Sequence, residues 1–95
     1  MKAYLVADVV VTDAAGFEEY RARVPATISA YGGRYLARGG ETVVLEGDLS
    51  PNRVIILEFP SMARLRAWYD SPEYRPLRVL RERTARTTLL AIEGV

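Results

Sequence analysis

Apolar residues recur along the chain with two periods, and each change of period marks an element. Residues 3–11, AYLVADVVV, are valine-rich and bounded by Thr12 and Asp13, which predicts a strand. Asp13 is a residue type that caps helices. Phe17, Tyr20, Val24 and Ile28 follow it at helical spacing, one stripe of a helix over 14–31. Pro25 lies inside that stripe and is expected to kink or split the helix. Gly32-Gly33 ends it. Residues 34–38 and 43–46 are expected as one strand interrupted at Gly39-Gly40, where a glycine pair suggests a bulge or bend. GDLSPN at 47–52 is a turn, and RVIILEF at 53–59 is the clearest strand of the chain. Pro60 stops it, and Ser61 caps a second helix through Leu65, Trp68 and Tyr69. In AWYDSPEYRPLR, Ser71 is expected to cap a third helical segment with Pro72 at its first position and Glu73 in its first turn. Tyr74, Leu77 and Leu80 supply its buried stripe, and TTLLAIE at 87–93 is the last strand.

The order is β-α-β-β-α-β. Asp13, Phe17 and Tyr20 are spaced as Ser61, Leu65 and Trp68 are, so a cap and two anchors open a helix after a strand in both halves. This predicts an α+β chain of one domain over 1–95, a ferredoxin-like sandwich with a four-stranded antiparallel-type sheet and its helices on one face. The first and third strands are expected as parallel neighbours at its centre. Their side chains are apolar on both faces. Tyr4, Val6 and Val10 oppose Leu5, Ala7, Val9 and Val11, Val54 and Ile56 oppose Ile55, Leu57 and Phe59, and Leu90 and Ile92 oppose Leu89 and Ala91. Helices on one face leave the other uncovered, and the same face of a second copy is the expected cover, giving a homodimer.

Composition narrows the chemistry. A 95-residue chain has little core to spare, and with no cysteine it has neither disulfides nor a thiol nucleophile. With no histidine either, it lacks the commonest metal ligand and the usual base near neutral pH, so no metal and no cofactor is expected. The 13 basic and 12 acidic residues nearly cancel, which gives no reason to expect nucleic acid or membrane as a partner. Residues 64–86 are the basic exception, with seven arginines against Asp70, Glu73 and Glu82. The start, MKAYLVADVVV, resembles a signal peptide only until Asp8 interrupts the apolar run, so a buried strand and a cytoplasmic protein are expected.

Together, ADVVVTD at 7–13, EEYR at 18–21, YGGRYLARGG at 31–40, VLEGD at 44–48, RVIILEFPS at 53–61 and AWYDSPEYRPLRVLRERTAR at 67–86 closely resemble the small bacterial family called domain of unknown function 1330. That resemblance runs through nearly the whole chain. It implies a dimeric α+β barrel: two ferredoxin-like protomers packed sheet to sheet. The wider superfamily includes cofactor-independent oxygenases, haem-dependent enzymes, lactone isomerases and ligand-sensing domains, with pockets between helices and sheet. The fold alone does not choose among them.

Several residues are candidates for chemistry. Asp8 and Glu58 interrupt central strands; each is either a general base with a raised pKa or the ion-pair partner of Arg34, Arg38 or Arg86. Arg38, beside the glycine pair, either grips a substrate carboxylate or enolate by two parallel hydrogen bonds or pairs internally. Tyr20, Trp68, Tyr69 and Tyr74 are either core or the walls of a pocket for a planar ligand, with Tyr31 and Tyr35 closing its other end. The run Arg75, Arg78, Arg81, Arg83 and Arg86 reads as a solvated helix face or as an anion groove. Two functions follow. One is a metal-independent enzyme, isomerase or oxygenase in type, acting on a planar small molecule. The other is a non-catalytic homodimeric module that binds one.

Overall fold

A computed structural model describes all 95 residues, Met1–Val95. Its elements are β1 (Ala3–Val11), α1 (Ala14–Ala30), β2 (Arg34–Arg38), β3 (Arg53–Phe59), α2 (Met62–Tyr69), α3 (Arg75–Thr84) and β4 (Ala85–Glu93). The strands form one sheet in the order β2-β3-β1-β4. This is the ferredoxin-like order, and the fold is α+β. β1 and β3 are neighbours as expected, but they run antiparallel, with Tyr4 opposite Glu58 and Asp8 opposite Val54. Each crossover skips one strand, so β1 and β2 are parallel with β3 between them, and β3 and β4 are parallel with β1 between them.

Short polar side chains start the first two helices. The Asp13 carboxylate accepts from the Gly16 N–H at 3.1 Å, and the Ser61 hydroxyl accepts from the Arg64 N–H at 3.1 Å. Pro25 does not split α1, which runs unbroken past it. The flanking residues Val24 and Ile28 are both buried, and that packing holds the helix across the missing N–H. At the end of α1, the N–H groups of Gly32 and Gly33 cap the carbonyls of Ser29 and Ile28. A Cβ at Gly33 would lie 2.6 Å from the Phe59 ring, so only glycine lets α1 turn back onto the sheet here. Ser71 caps a single turn rather than α3 itself. Its hydroxyl donates to the Trp68 carbonyl at 2.8 Å and accepts from the Tyr74 N–H at 3.1 Å. α3 therefore begins at Arg75, with Pro76 rather than Pro72 in its first turn.

Two expectations for the middle of the chain fail. Residues 43–46 form no strand. The β2–β3 ladder has reached Arg38 opposite Ile55, and the Gly39 N–H takes the Val54 carbonyl. Beyond that point no strand remains for 43–46 to pair with. The bulge lies at Leu36, between Tyr35 and Ala37, and not at Gly39-Gly40. It matters for the site, because it turns Arg38 onto the face shared by Ile55 and Tyr35.

Alternate residues of β1 bury on the helix face: Ala3, Leu5, Ala7 and Val9. Leu57 and Phe59 of β3 join them, under Phe17, Val24, Ile28, Leu65, Trp68 and Leu77 from the helices. On the other face Tyr4, Val6, Asp8 and Val10 are half-buried, and Leu90 and Ile92 are exposed. No helix is long and apolar enough to cross a membrane.

Candidate functional site

The helices do not fill all the space above the sheet. A cavity of about 50 Å³ remains among Leu5, Ala7 and Val9 of β1, Leu57 of β3, and Tyr20, Tyr69 and Tyr74 of the helices. It has two mouths. One is a groove of about 280 Å³ beside α1, where Arg21, Arg38 and Arg53 gather around Tyr20 and Tyr35. The other, of about 490 Å³, lies between α3 and β4 and is bordered by Tyr69, Arg81, Glu82 and Thr87. At each mouth stands a half-buried tyrosine carrying an arginine. Arg38 lies 4.4 Å from the Tyr35 ring centroid, and Arg78 lies 4.2 Å from that of Tyr69.

Among the aromatic walls, Trp68 and Tyr74 are each only 2% exposed. Their rings sit 4.1 Å apart, and Trp68 also meets Phe59 at 5.4 Å. The indole N–H donates to the Thr27 hydroxyl at 3.0 Å. Trp68 is thus a fixed wall, whereas Tyr35 and Tyr69 are half-buried rings at the edges of the cavity. The hydroxyls of Tyr20 and Tyr74 share a hydrogen bond of 2.8 Å. Burial, reinforced by Tyr74, drives the Tyr20 pKa far above that of a free tyrosine. Burial also raises the Tyr35 pKa, against the opposing influence of Arg38. Both phenols therefore stay protonated near neutral pH.

Arg81 is the residue that sequence reasoning undervalued. It lines the cavity and is only 7% exposed, although the sequence places it in an arginine run with the look of a solvated face. The missed signal is its position. Tyr74, Leu77, Arg81 and Thr84 recur at helical spacing and are the buried residues of that turn and α3. Thr87, also in the lining, was likewise not singled out.

The predicted site residues do not converge. Tyr20, Trp68, Tyr69 and Tyr74 come together in the cavity, and Arg38 reaches the groove beside it. Asp8 and Glu58 share the opposite face of the sheet with Tyr4 and Val54, so the sheet backbone separates them from the cavity. They are also four register positions apart, and neither pairs with Arg38. Glu58 accepts from Arg34 Nε at 2.9 Å, with Lys2 at 3.7 Å. The Arg34 bond holds the Glu58 carboxyl below the usual glutamate range, against the effect of desolvation. The Asp8 carboxylate accepts from the Asn52 backbone N–H at 2.7 Å and from its side-chain amide at 2.9 Å, pinning the end of the loop before β3. No carboxylate lines the cavity. No group of three or more acidic side chains is placed to hold a metal ion.

A family model described as domain of unknown function (DUF1330) matches residues 2–95. No curated protein matches the chain. Solved structures do. A protein of unknown function from Rhodopseudomonas palustris is similar at 19% identity and a TM-score of 0.76, over 99% of this chain and 82% of that one. A dimeric ferredoxin-like protein of unknown function from Jannaschia sp. is similar at 14% identity and a TM-score of 0.72, over 99% and 100%. SnoaB, a cofactor-independent oxygenase from Streptomyces nogalater, is similar at 18% identity and a TM-score of 0.70, over 99% and 93%. At these identities the likeness is one of fold. With nearly its whole length matched by the family model, the chain belongs to the DUF1330 family.

Proposed function

We propose that this DUF1330 protein is a homodimer that takes a planar, enolisable small molecule into the helix-side cavity and acts on it as a metal-independent oxygenase. The observation that carries the reading is the lining. Aromatic walls surround a set of fixed donors, the Arg81 guanidinium and the one hydroxyl proton of the Tyr20–Tyr74 pair not spent on their mutual bond, with no carboxylate among them. Such a set stabilises negative charge on a bound oxygen. It has no group suited to removing a proton from carbon, so an isomerase that depends on a side-chain base fits poorly. A substrate acidic enough to ionise by itself, and then reactive toward dioxygen, fits well. The shared fold with a cofactor-independent oxygenase supports this by analogy.

About 150 Å³ of cavity accommodates benzene in a known engineered case. The present cavity, at about 50 Å³, takes a ring only if Tyr35 or Tyr69 swings outward. Each is half-buried and borders a groove, so each has space to move into.

The homodimer uses the other face of the sheet. Val6, Val54, Ile56, Leu90 and Ile92 form an apolar surface there that no helix covers. A second copy presents the same surface and closes both. The dimeric ferredoxin-like protein from Jannaschia supports that choice of partner. The exposed side chains Val43, Val44, Leu45 and Leu49, in the loop between β2 and β3, supply further surface for a partner to cover.

The test is dioxygen uptake with a panel of planar phenols and 1,3-diketones. At least one compound should consume dioxygen faster with protein than without. Tyr74→Phe should lower kcat/KM for it by about tenfold or more. Uptake no faster than the uncatalysed rate throughout, with binding intact, would leave the non-catalytic binding module as the correct description.

A further inference from the structure

Arg81 is buried without an anion. Arginine is rarely this buried unless paired, because removing its charge from water is costly. Yet Arg81 takes part in none of the chain's ion pairs. Its one side-chain hydrogen bond is a long contact of 3.4 Å from Nε to the Tyr74 hydroxyl, which already shares a 2.8 Å bond with Tyr20. A second polar group stands at the same place. The Thr87 hydroxyl is buried and has no hydrogen-bond partner. Both residues line the cavity, and both border its mouth between α3 and β4. A cation with no anionic partner and a hydroxyl with no partner at all thus meet at one end of a largely apolar chamber.

We infer that this end of the cavity is a receptor for the oxyanion of a ligand, and that the ligand is a planar organic acid carrying a carboxylate or an ionised enol. The inference deepens the proposed function and rests on its helix-side pocket. Arg81 offers the planar fork that matches two oxygens, Thr87 one further donor, and Tyr74 a hydroxyl already oriented by Tyr20. The apolar walls lower the local dielectric, which strengthens each of these bonds. An aliphatic chain or a neutral ring would leave Arg81 and Thr87 as they stand now, whereas a carboxylate satisfies both.

Trp68 is the only tryptophan of the chain and part of the cavity wall, so its fluorescence reports binding at the site. The experiment titrates benzoate and its neutral isostere benzamide into wild type, Arg81→Met, Thr87→Val and, as a control, Arg83→Met. Arg83 is exposed on the same helix. Circular dichroism first establishes that each variant is folded. If Arg81→Met fails to fold, Arg81→Lys takes its place, keeping the charge but losing the fork. Benzoate should bind wild type at least about tenfold more tightly than benzamide does, the scale of one charge-assisted hydrogen bond. Arg81→Met should abolish that preference, Thr87→Val should weaken benzoate alone, and Arg83→Met should change nothing. Equal binding of benzoate and benzamide to wild type would overturn the receptor and leave the pocket standing. A benzoate affinity unchanged in Arg81→Met would overturn it as well. No response to either compound would overturn the receptor and the helix-side pocket together.

Discussion

Glu58 and Asp8 show how one residue type in one setting comes to different ends. Both are carboxylates set in apolar strands, and both are hydrogen-bonded on the face away from the cavity. The Glu58 pKa is lowered chiefly by the hydrogen bond from Arg34. A carboxyl whose folded pKa lies below its unfolded one adds stability that is fully present above the unfolded value. That stability is lost as pH falls through the folded value. Wild type should therefore lose stability more steeply than Glu58→Gln as pH drops below the ordinary glutamate range, measured by urea unfolding across acid pH. Parallel curves for the two proteins would contradict this. Sequence alone shows that these two carboxylates need partners. It does not show on which face they lie relative to the helices, because that depends on the register of one strand against the next. Arg81 is the opposite case. A solvated arginine and a buried one look identical until the stripe containing Tyr74 and Leu77 is traced through it.

At the scale of elements, local chemistry is read well and long-range pairing poorly. Asp13 and Ser61 cap α1 and α2 as their residue types predict, and β3 spans the expected residues. These signals are written in adjacent residues. The strand expected at 43–46 is absent because a strand needs a free ladder beside it, and the ladder ends at Gly39. The bulge at Leu36 is invisible in sequence for the same reason. It is a mismatch between two strands, and the glycine pair marks only the exit from β2, where Gly39 has φ +69°. α3 is the element that brings Arg81 to the cavity. Its side chain Leu77 is 1% exposed and anchors it to the core. Leu77→Ala should cost about 2–5 kcal/mol in chemical denaturation. It should also loosen the seating of Arg81 one turn further on. A loss well under about 1 kcal/mol would mean that α3 is held by its ends and not by this contact.

At the scale of the whole molecule, the two faces of the sheet differ in what covers them. One face carries the helices, the cavity, the tyrosine pair and Arg81. The other carries Val6, Val54, Ile56 and Leu90, is covered by no helix, and is the face proposed for a second copy of the chain. The alternation of side chains along each strand made this division legible before any coordinates, since the central strands are apolar on both sides. What alternation did not disclose is which polar residues fall on which side. The account's central claim is that ligand and partner occupy opposite faces. Methyl-resolved NMR tests it most directly, because neighbouring strand residues report on opposite faces. Adding benzoate should shift the methyls of Leu5, Val9, Leu57 and Leu89, which line the cavity. Diluting the protein should instead shift those of Val6, Val54, Ile56 and Leu90. Benzoate shifts confined to this second set would contradict the account and move the ligand site to the open face of the sheet.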